Sequence, residues 1–143
     1  SWSPGSEDAM ARLTSKRIVL GLDVDDTITA APEFFALLTK AVRQAGGRVC
    51  IVTRRGNLPE GVEATRVELE DYGIEFDEID IIPDKKDEYI SCPHEDLDWY
   101  QRYLWQKVAI CEAMNVDVLF DDDPKVVRLF ARYAPGIQLF QPA

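Results

Sequence analysis

The 143-residue chain holds one histidine, three cysteines and 16 lysines and arginines against 26 aspartates and glutamates. With a single imidazole, His94, no site that needs two can form. His94 and Cys92 together fall short of the four ligands of a structural zinc. Cys50, Cys92 and Cys111 are odd in number and contain no C-x-x-C pair, so they predict no disulfide framework. Cys50 lies in an apolar strand-like run and Cys111 in a helical pattern, so both read as small core residues in a reduced, cytoplasmic setting. No arginine follows Cys92 closely enough to cradle a phosphate, and Cys92-Pro93-His94 reads as a surface loop. No apolar run approaches the roughly 20 residues that span a bilayer. The first 15 residues lack a basic-then-apolar signal pattern and read as a flexible tail. The deficit of cations leaves a net charge of −10. That predicts no nucleic-acid partner and no anionic membrane, since both need a basic surface.

The acidic residues that are present fall in a pattern. Arg17-Ile18-Val19-Leu20-Gly21-Leu22 is an apolar run that ends in Asp23, Asp25, Asp26 and Thr27. A run without polar alternation predicts a parallel strand covered on both faces. Val116 to Phe120 is a second such run and ends in Asp121-Asp122-Asp123-Pro124. In open α/β sheets ligands bind beyond the carboxyl ends of the strands. Carboxylates crowded there repel one another unless a cation lies between them. Two acidic strand ends in one small domain therefore predict a shared divalent cation.

Strands and helices alternate along the rest of the chain. Strands are predicted at 17–22, 48–52, 78–82, 117–120 and 137–140, and helices at 32–44, 59–72, 97–114 and 124–133. Pro32 and Pro124 suit first helical turns. Gly46-Gly47 and Gly73 suit helix stops. The first helix is expected to bury Phe34, Leu37, Leu38, Ala41 and Val42, and the second Val62, Val67 and Leu69. Trp99, Tyr100, Tyr103 and Trp105 are expected on the packing side of the third helix. Residues 84–96 are charged and read as a loop. The alternation predicts one domain over 16–143 with a parallel sheet and right-handed crossovers.

Four segments carry a resemblance to a known family. Asp23-Val24-Asp25-Asp26-Thr27 resembles the D-x-D-x-T motif that follows the first strand of haloacid dehalogenase-like (HAD) phosphatases. Val49-Cys50-Ile51-Val52-Thr53 resembles their second motif, Lys107 their third and Phe120-Asp121-Asp122-Asp123-Pro124 their fourth, in the same order. The resemblance implies a Rossmann-like α/β/α fold with about five parallel strands in the order 5-4-1-2-3. Only 25 residues separate Thr27 from Thr53, too few for an inserted cap domain, so a capless member is expected.

The implied chemistry is phosphate-monoester hydrolysis. Asp23 would be the nucleophile that forms an aspartyl-phosphate, and Asp25 the acid and then the base. Thr53 would bind the phosphoryl group, and Lys107 would balance charge around it. Mg²⁺ would be held by Asp23, the Asp25 carbonyl and Asp122, with Asp121 and Thr27 supporting them. Arg54 and Arg55 stand beside Thr53 and are candidates for a second phosphate or a carboxylate of the substrate, or equally for solvated charges that balance the acidic site, with Arg54, next to Thr53, the better candidate for the substrate. Asp123 is expected to cap the helix opened by Pro124. The expected partner is a phosphorylated small molecule or macromolecule; an open site suits a bulky, macromolecular or nucleotide-like ester, or a neighbouring subunit that closes the entrance. Two rival readings are a catalytically silent metal- or phosphate-binding interaction module and a response-regulator-type phosphoacceptor. The latter needs an acceptor Asp at the third strand, where only Pro83-Asp84 is offered.

Overall fold

The computed structural model describes residues 17–55, 59–82 and 92–142. The predicted tail and residues 84–91 of the predicted loop lie outside them. Five parallel strands form one sheet: β1 Val19–Leu22, β2 Arg48–Thr53, β3 Glu78–Ile81, β4 Val118–Phe120 and β5 Gln138–Phe140. Their order is β3-β2-β1-β4-β5, the predicted 5-4-1-2-3 read from the opposite edge. The described helices are α1 Pro32–Gln44, α2 Pro59–Asp71, α3 Trp99–Ala113 and α4 Pro124–Tyr133. None of them is long and apolar enough to cross a membrane.

Side chains alternate across β1 and β2 and feed two separate cores. Leu20, Leu22, Val49 and Ile51 pack with Phe35 of α1 and Leu69 of α2. Val52 and Leu119 pack on the other face with Leu104, Val108 and Cys111 of α3 and Val126, Leu129 and Phe130 of α4. The result is a Rossmann-like three-layer α/β/α domain whose central strands are covered on both faces. That is why β1 and β2 read as unbroken apolar runs.

In α1 and α2 Leu38, Val42 and Leu69 pack as expected, but other positions of the expected apolar faces do not. In α1 Phe34 and Leu37 are 51% and 69% exposed, whereas Phe35 and Thr39 are buried. Apolar counting passes over Thr39, whose hydroxyl donates to Phe35 O at 2.8 Å and accepts from Glu75 N at 3.1 Å. With its hydrogen bonds satisfied, a threonine takes a core position at little cost. In α2 Val67 is exposed and Thr65 buried, its hydroxyl bonded to Gly61 O. Cys92 is likewise no surface residue: it is 3% exposed within the α3–α4 core. His94 stacks on Tyr133 with ring centroids 3.9 Å apart.

The α1–β2 turn makes one residue indispensable. Gly47 N donates to Val42 O at 2.9 Å and Arg48 N to Ile18 O at 2.9 Å, which starts the β1–β2 ladder. A Cβ on Gly47 would lie 2.6 Å from Ile18 O and 3.0 Å from Val42 O, both backbone atoms. Gly47→Ala is therefore expected to destabilise the fold by about 1–3 kcal/mol, read as a lower urea midpoint at unchanged slope.

Candidate active site

The β1–β4 ladder runs one residue past β1, because Asp23 N donates to Phe120 O at 3.0 Å. This bond sets Asp23 beside the end of β4, where Asp121 and Asp122 follow. Beyond Asp23 the chain makes one wide helical turn over Val24–Ile28 that the strand-and-helix pattern did not predict. Thr29 N closes it on Val24 O at 3.1 Å. Asp25 is extended and Asp26 left-handed, at φ 59°, a conformation aspartate tolerates better than most residues. Asp26 N is satisfied by Thr29 Oγ1 at 2.9 Å. Val24 and Ile28 are fully buried and anchor the turn, which leaves Asp25 and Asp26 to face solvent.

One cavity of about 400 Å³ collects the residues from four different segments. Asp23, Asp25 and Asp26 come from β1 and its turn, and Thr53 and Arg54 from the end of β2. Tyr103 and Lys107 come from α3, and Asp121, Asp122, Asp123 and Pro124 from β4 and the start of α4. Carboxylate oxygens of Asp23, Asp121 and Asp122 lie within 4.8 Å of one another. Lys107, 2% exposed, reaches between two of them, with Nζ 2.6 Å from Asp121 Oδ2 and 3.2 Å from Asp23 Oδ1. Asp121 is fully buried and also accepts from Asp123 N at 3.0 Å. Its oxygens are thus occupied within the protein, the condition of a supporting residue. Thr27 Oγ1, fully buried, donates to Asp122 Oδ1 at 3.2 Å and fixes that carboxylate.

The electrostatics follow from burial and this crowding. Burial pushes the Asp23 carboxyl up to about 7; Lys107 pulls it down and Asp121 pushes it further up. For Lys107 burial works against the charge, but Asp23 and Asp121 outweigh it, so its ammonium is held above the ordinary lysine range. Three carboxylates against one ammonium leave the fully ionised cluster at −2, the deficit a divalent cation would neutralise. The ligand set is all oxygen and contains no His or Cys. It suits a hard cation such as Mg²⁺, Ca²⁺ or Mn²⁺ and fits zinc poorly.

The two arginines after Thr53 part ways. Thr53 is 1% exposed at the cavity wall. Arg54 lines the same cavity and donates to Tyr100 Oη at 2.5 Å. Arg55 grips Asp25 through two bonds of 2.8 and 3.2 Å and pairs with Glu68 of α2 at 2.8 Å. The Arg55 hydrogen bonds hold the Asp25 carboxyl below its usual range. Asp123 caps α4, accepting from Lys125 N at 2.9 Å. Of the aromatic residues of α3, Tyr103 lines the cavity and Tyr100 lies beside it, whereas the sequence pattern favours packing for both. The signal that finds them is spacing: Tyr100, Tyr103 and Lys107 recur at i, i+3 and i+7 and share one side of α3.

No family model and no curated protein matches the chain. Among solved structures it is similar to a chain of the Pnkp1/Rnl/Hen1 RNA repair complex, with a TM-score of 0.63 and 19% identity over 90% of this chain and 43% of that one. A chain of a Pnkp1/Rnl/Hen1 complex gives a TM-score of 0.60 and 21% identity, over 90% of this chain and 47% of that one. An uncharacterised protein from Corynebacterium glutamicum ATCC 13032 Kitasato gives 0.58 and 13%, over 90% and 86%. The chain spans less than half the length of the two chains from the Pnkp1/Rnl/Hen1 complexes. At these identities the likeness speaks to the fold alone.

Proposed function

We propose that the chain is a Mg²⁺-dependent phosphomonoester hydrolase of the HAD type that works through an aspartyl-phosphate on Asp23. The observation that carries this reading is the convergence of Asp23, Asp25, Thr53, Lys107 and Asp122 on one cavity. These are the residues that the four motifs name, brought from four segments that are far apart in sequence. Asp23, Asp122 and the Asp25 carbonyl would hold the Mg²⁺, with Asp121 behind them. Bound there, the ion would neutralise the phosphoryl oxygens that otherwise repel an anionic nucleophile.

The chain's own groups supply the rest. Lys107 orients the Asp23 carboxylate and offsets part of the charge. The Asp23 oxygen bonds to phosphorus as the ester P–O bond breaks, and Asp25 gives its proton to the departing oxygen. Asp25 then takes a proton from the water that attacks the aspartyl-phosphate, releasing inorganic phosphate and restoring Asp23. At rest Arg55 keeps Asp25 ionised, the form that accepts the water's proton; donating one to the leaving oxygen requires that grip to loosen. Thr53 would donate its hydroxyl to the phosphoryl group. Among the described residues nothing caps the cavity, which would admit small or bulky esters.

The test is phosphate release from a broad panel of monoesters in Mg²⁺ and in EDTA. Release that needs Mg²⁺ and disappears in Asp23→Asn is the expected result. An inert wild-type protein that binds Mg²⁺ would instead favour the silent interaction module.

A further inference from the structure

We propose that a second anion subsite adjoins the carboxylate cavity, built by Arg54, Lys125 and Arg128 around Tyr100, and that it takes the second phosphate of a nucleotide-type substrate. The proposal rests on the phosphatase reading and names its substrate class.

The first argument is local charge. The chain carries a net −10, yet the cations at this corner form no close ion pair, although the Asp123 carboxylate lies near enough to Arg54 to act on its charge. Arg43, Arg48, Arg55, Arg66, Lys107 and Arg132 each pair with a carboxylate. Arg54, Lys125 and Arg128 have no carboxylate partner among the described residues. In a chain so rich in acids, three neighbouring cations without such partners are suited to an anion from outside. The overall acidity that argued against nucleic acid is an average, and this corner departs from it.

The second argument is continuity with the first cavity. A second cavity of about 300 Å³ is lined by Tyr100 and Gln101, by the cations Lys125, Arg128 and Arg132, and by one carboxylate, Asp98, which accepts from Gln101 N at 2.8 Å. Arg54 lines the carboxylate cavity, and its guanidinium bonds the Tyr100 hydroxyl at 2.5 Å. Lys125 Nζ lies 4.7 Å from the centroid of the Tyr100 ring. Tyr100 lines the second cavity and Arg54 the first, so their hydrogen bond joins the two linings. Lys125 and Arg128 are three residues apart on α4 and share a face. Asp123 caps the same helix and fixes the turn from which Lys125 projects.

The third argument is the aromatic lining. Tyr100 belongs to a group of flat rings, with Trp99 and Tyr103 each 6.3 Å away between centroids. A scissile phosphate over Asp23, a planar group along the Tyr100 ring and a second phosphate between Lys125 and Arg128 describe one nucleotide unit phosphorylated at both ends. Such a unit occurs as a free nucleoside bisphosphate and as the phosphorylated end of an oligonucleotide.

The experiment compares a nucleoside 3′-monophosphate, a nucleoside 3′,5′-bisphosphate and a 3′-phosphorylated oligonucleotide by kcat/KM in Mg²⁺. The bisphosphate is expected to exceed the monophosphate by about tenfold or more. Lys125→Ala with Arg128→Ala should bring that ratio to about one, and Arg128→Lys alone should keep most of it. An oligonucleotide better than the bisphosphate assigns the site to nucleic-acid ends; a poorer one assigns it to free nucleotides. Equal kcat/KM for mono- and bisphosphate overturns the proposal, as does a ratio that survives the double substitution. Calorimetric binding of the two nucleotides to Asp23→Asn protein in Mg²⁺ reads the subsite without turnover. Should no ester be hydrolysed, tighter binding of the bisphosphate that is lost in the double variant still supports the subsite, while the phosphatase reading fails.

Discussion

Lys107→Met is expected to lower the unfolding free energy by about 3–5 kcal/mol and to abolish phosphate release. Methionine keeps the length and most of the volume of the side chain, so packing against α3 neighbours is largely retained and the charge alone is removed. Lys107 is 2% exposed and spans Asp121 and Asp23 at 2.6 and 3.2 Å. Without it Asp121, fully buried, keeps only Asp123 N as a partner. A buried carboxylate with no countercharge costs several kcal/mol, more than the pair itself contributed. Urea unfolding in EDTA reads the effect. A loss under about 1 kcal/mol would mean that water reaches the cluster and that the ion pair is not structural. The double variant Lys107→Met/Asp121→Asn should recover part of the loss, because neutralising both partners removes the stranded charge.

Most of the fold could be read from the chain because local signals and tertiary demands agree. Pro32 and Pro124 open α1 and α4, and Gly46 and Gly73 follow α1 and α2 with φ of +85° and +79°, as left-handed helix stops do. Central strands without alternation announced a sheet covered on both faces, and the alternation of elements announced its parallel sense. What escaped was local detail decided by hydrogen bonds. Thr39 and Thr65 hold core positions because their hydroxyls bond backbone carbonyls one turn back, and an apolar count passes over both. Cys92 is buried by aromatic packing between segments distant in sequence, which no local window contains.

The site divides in the same way. The carboxylates were visible because two apolar runs ended in acids, and β1 and β4 turn out to be neighbours. Lys107 could be placed on a helix but not inside the protein, since a lysine on a helix is exposed by default. Its burial is set by the two aspartates it meets, one 84 and one 14 residues away. The fates of Arg54 and Arg55 were undecidable from adjacency alone. One turns to Tyr100 of α3, the other to Asp25 and Glu68.

Asp23→Asn is expected to cost at least about 10³ in kcat and at the same time to stabilise the metal-free protein at neutral pH and above. An amide cannot serve as the attacking oxyanion, so turnover through an aspartyl-phosphate stops. The gain in stability follows from proton linkage. The carboxyl titrates near 3.8 in the unfolded chain and at about 7 in the folded one, because burial disfavours its charge. Between those values the folded chain holds a proton that the unfolded chain has released, so stability falls as pH rises from about 4 to about 7. Above that window the cost of burying the ionised carboxylate is present in full, at most about 4 kcal/mol at ~1.36 kcal/mol per unit. Asparagine carries no such charge and keeps a partner's geometry, so the variant should match wild type near pH 4 and exceed it near pH 8 in EDTA. Adding Mg²⁺ should narrow or reverse the difference, since an ion bound by the folded state alone favours the protein with the fuller set of carboxylates. Urea midpoints at the two pH values, with and without Mg²⁺, separate these effects. A variant no more stable than wild type at pH 8 in EDTA would show that Asp23 keeps its charge without strain. The carboxylate cluster would then lose its electrostatic reason to take up a cation.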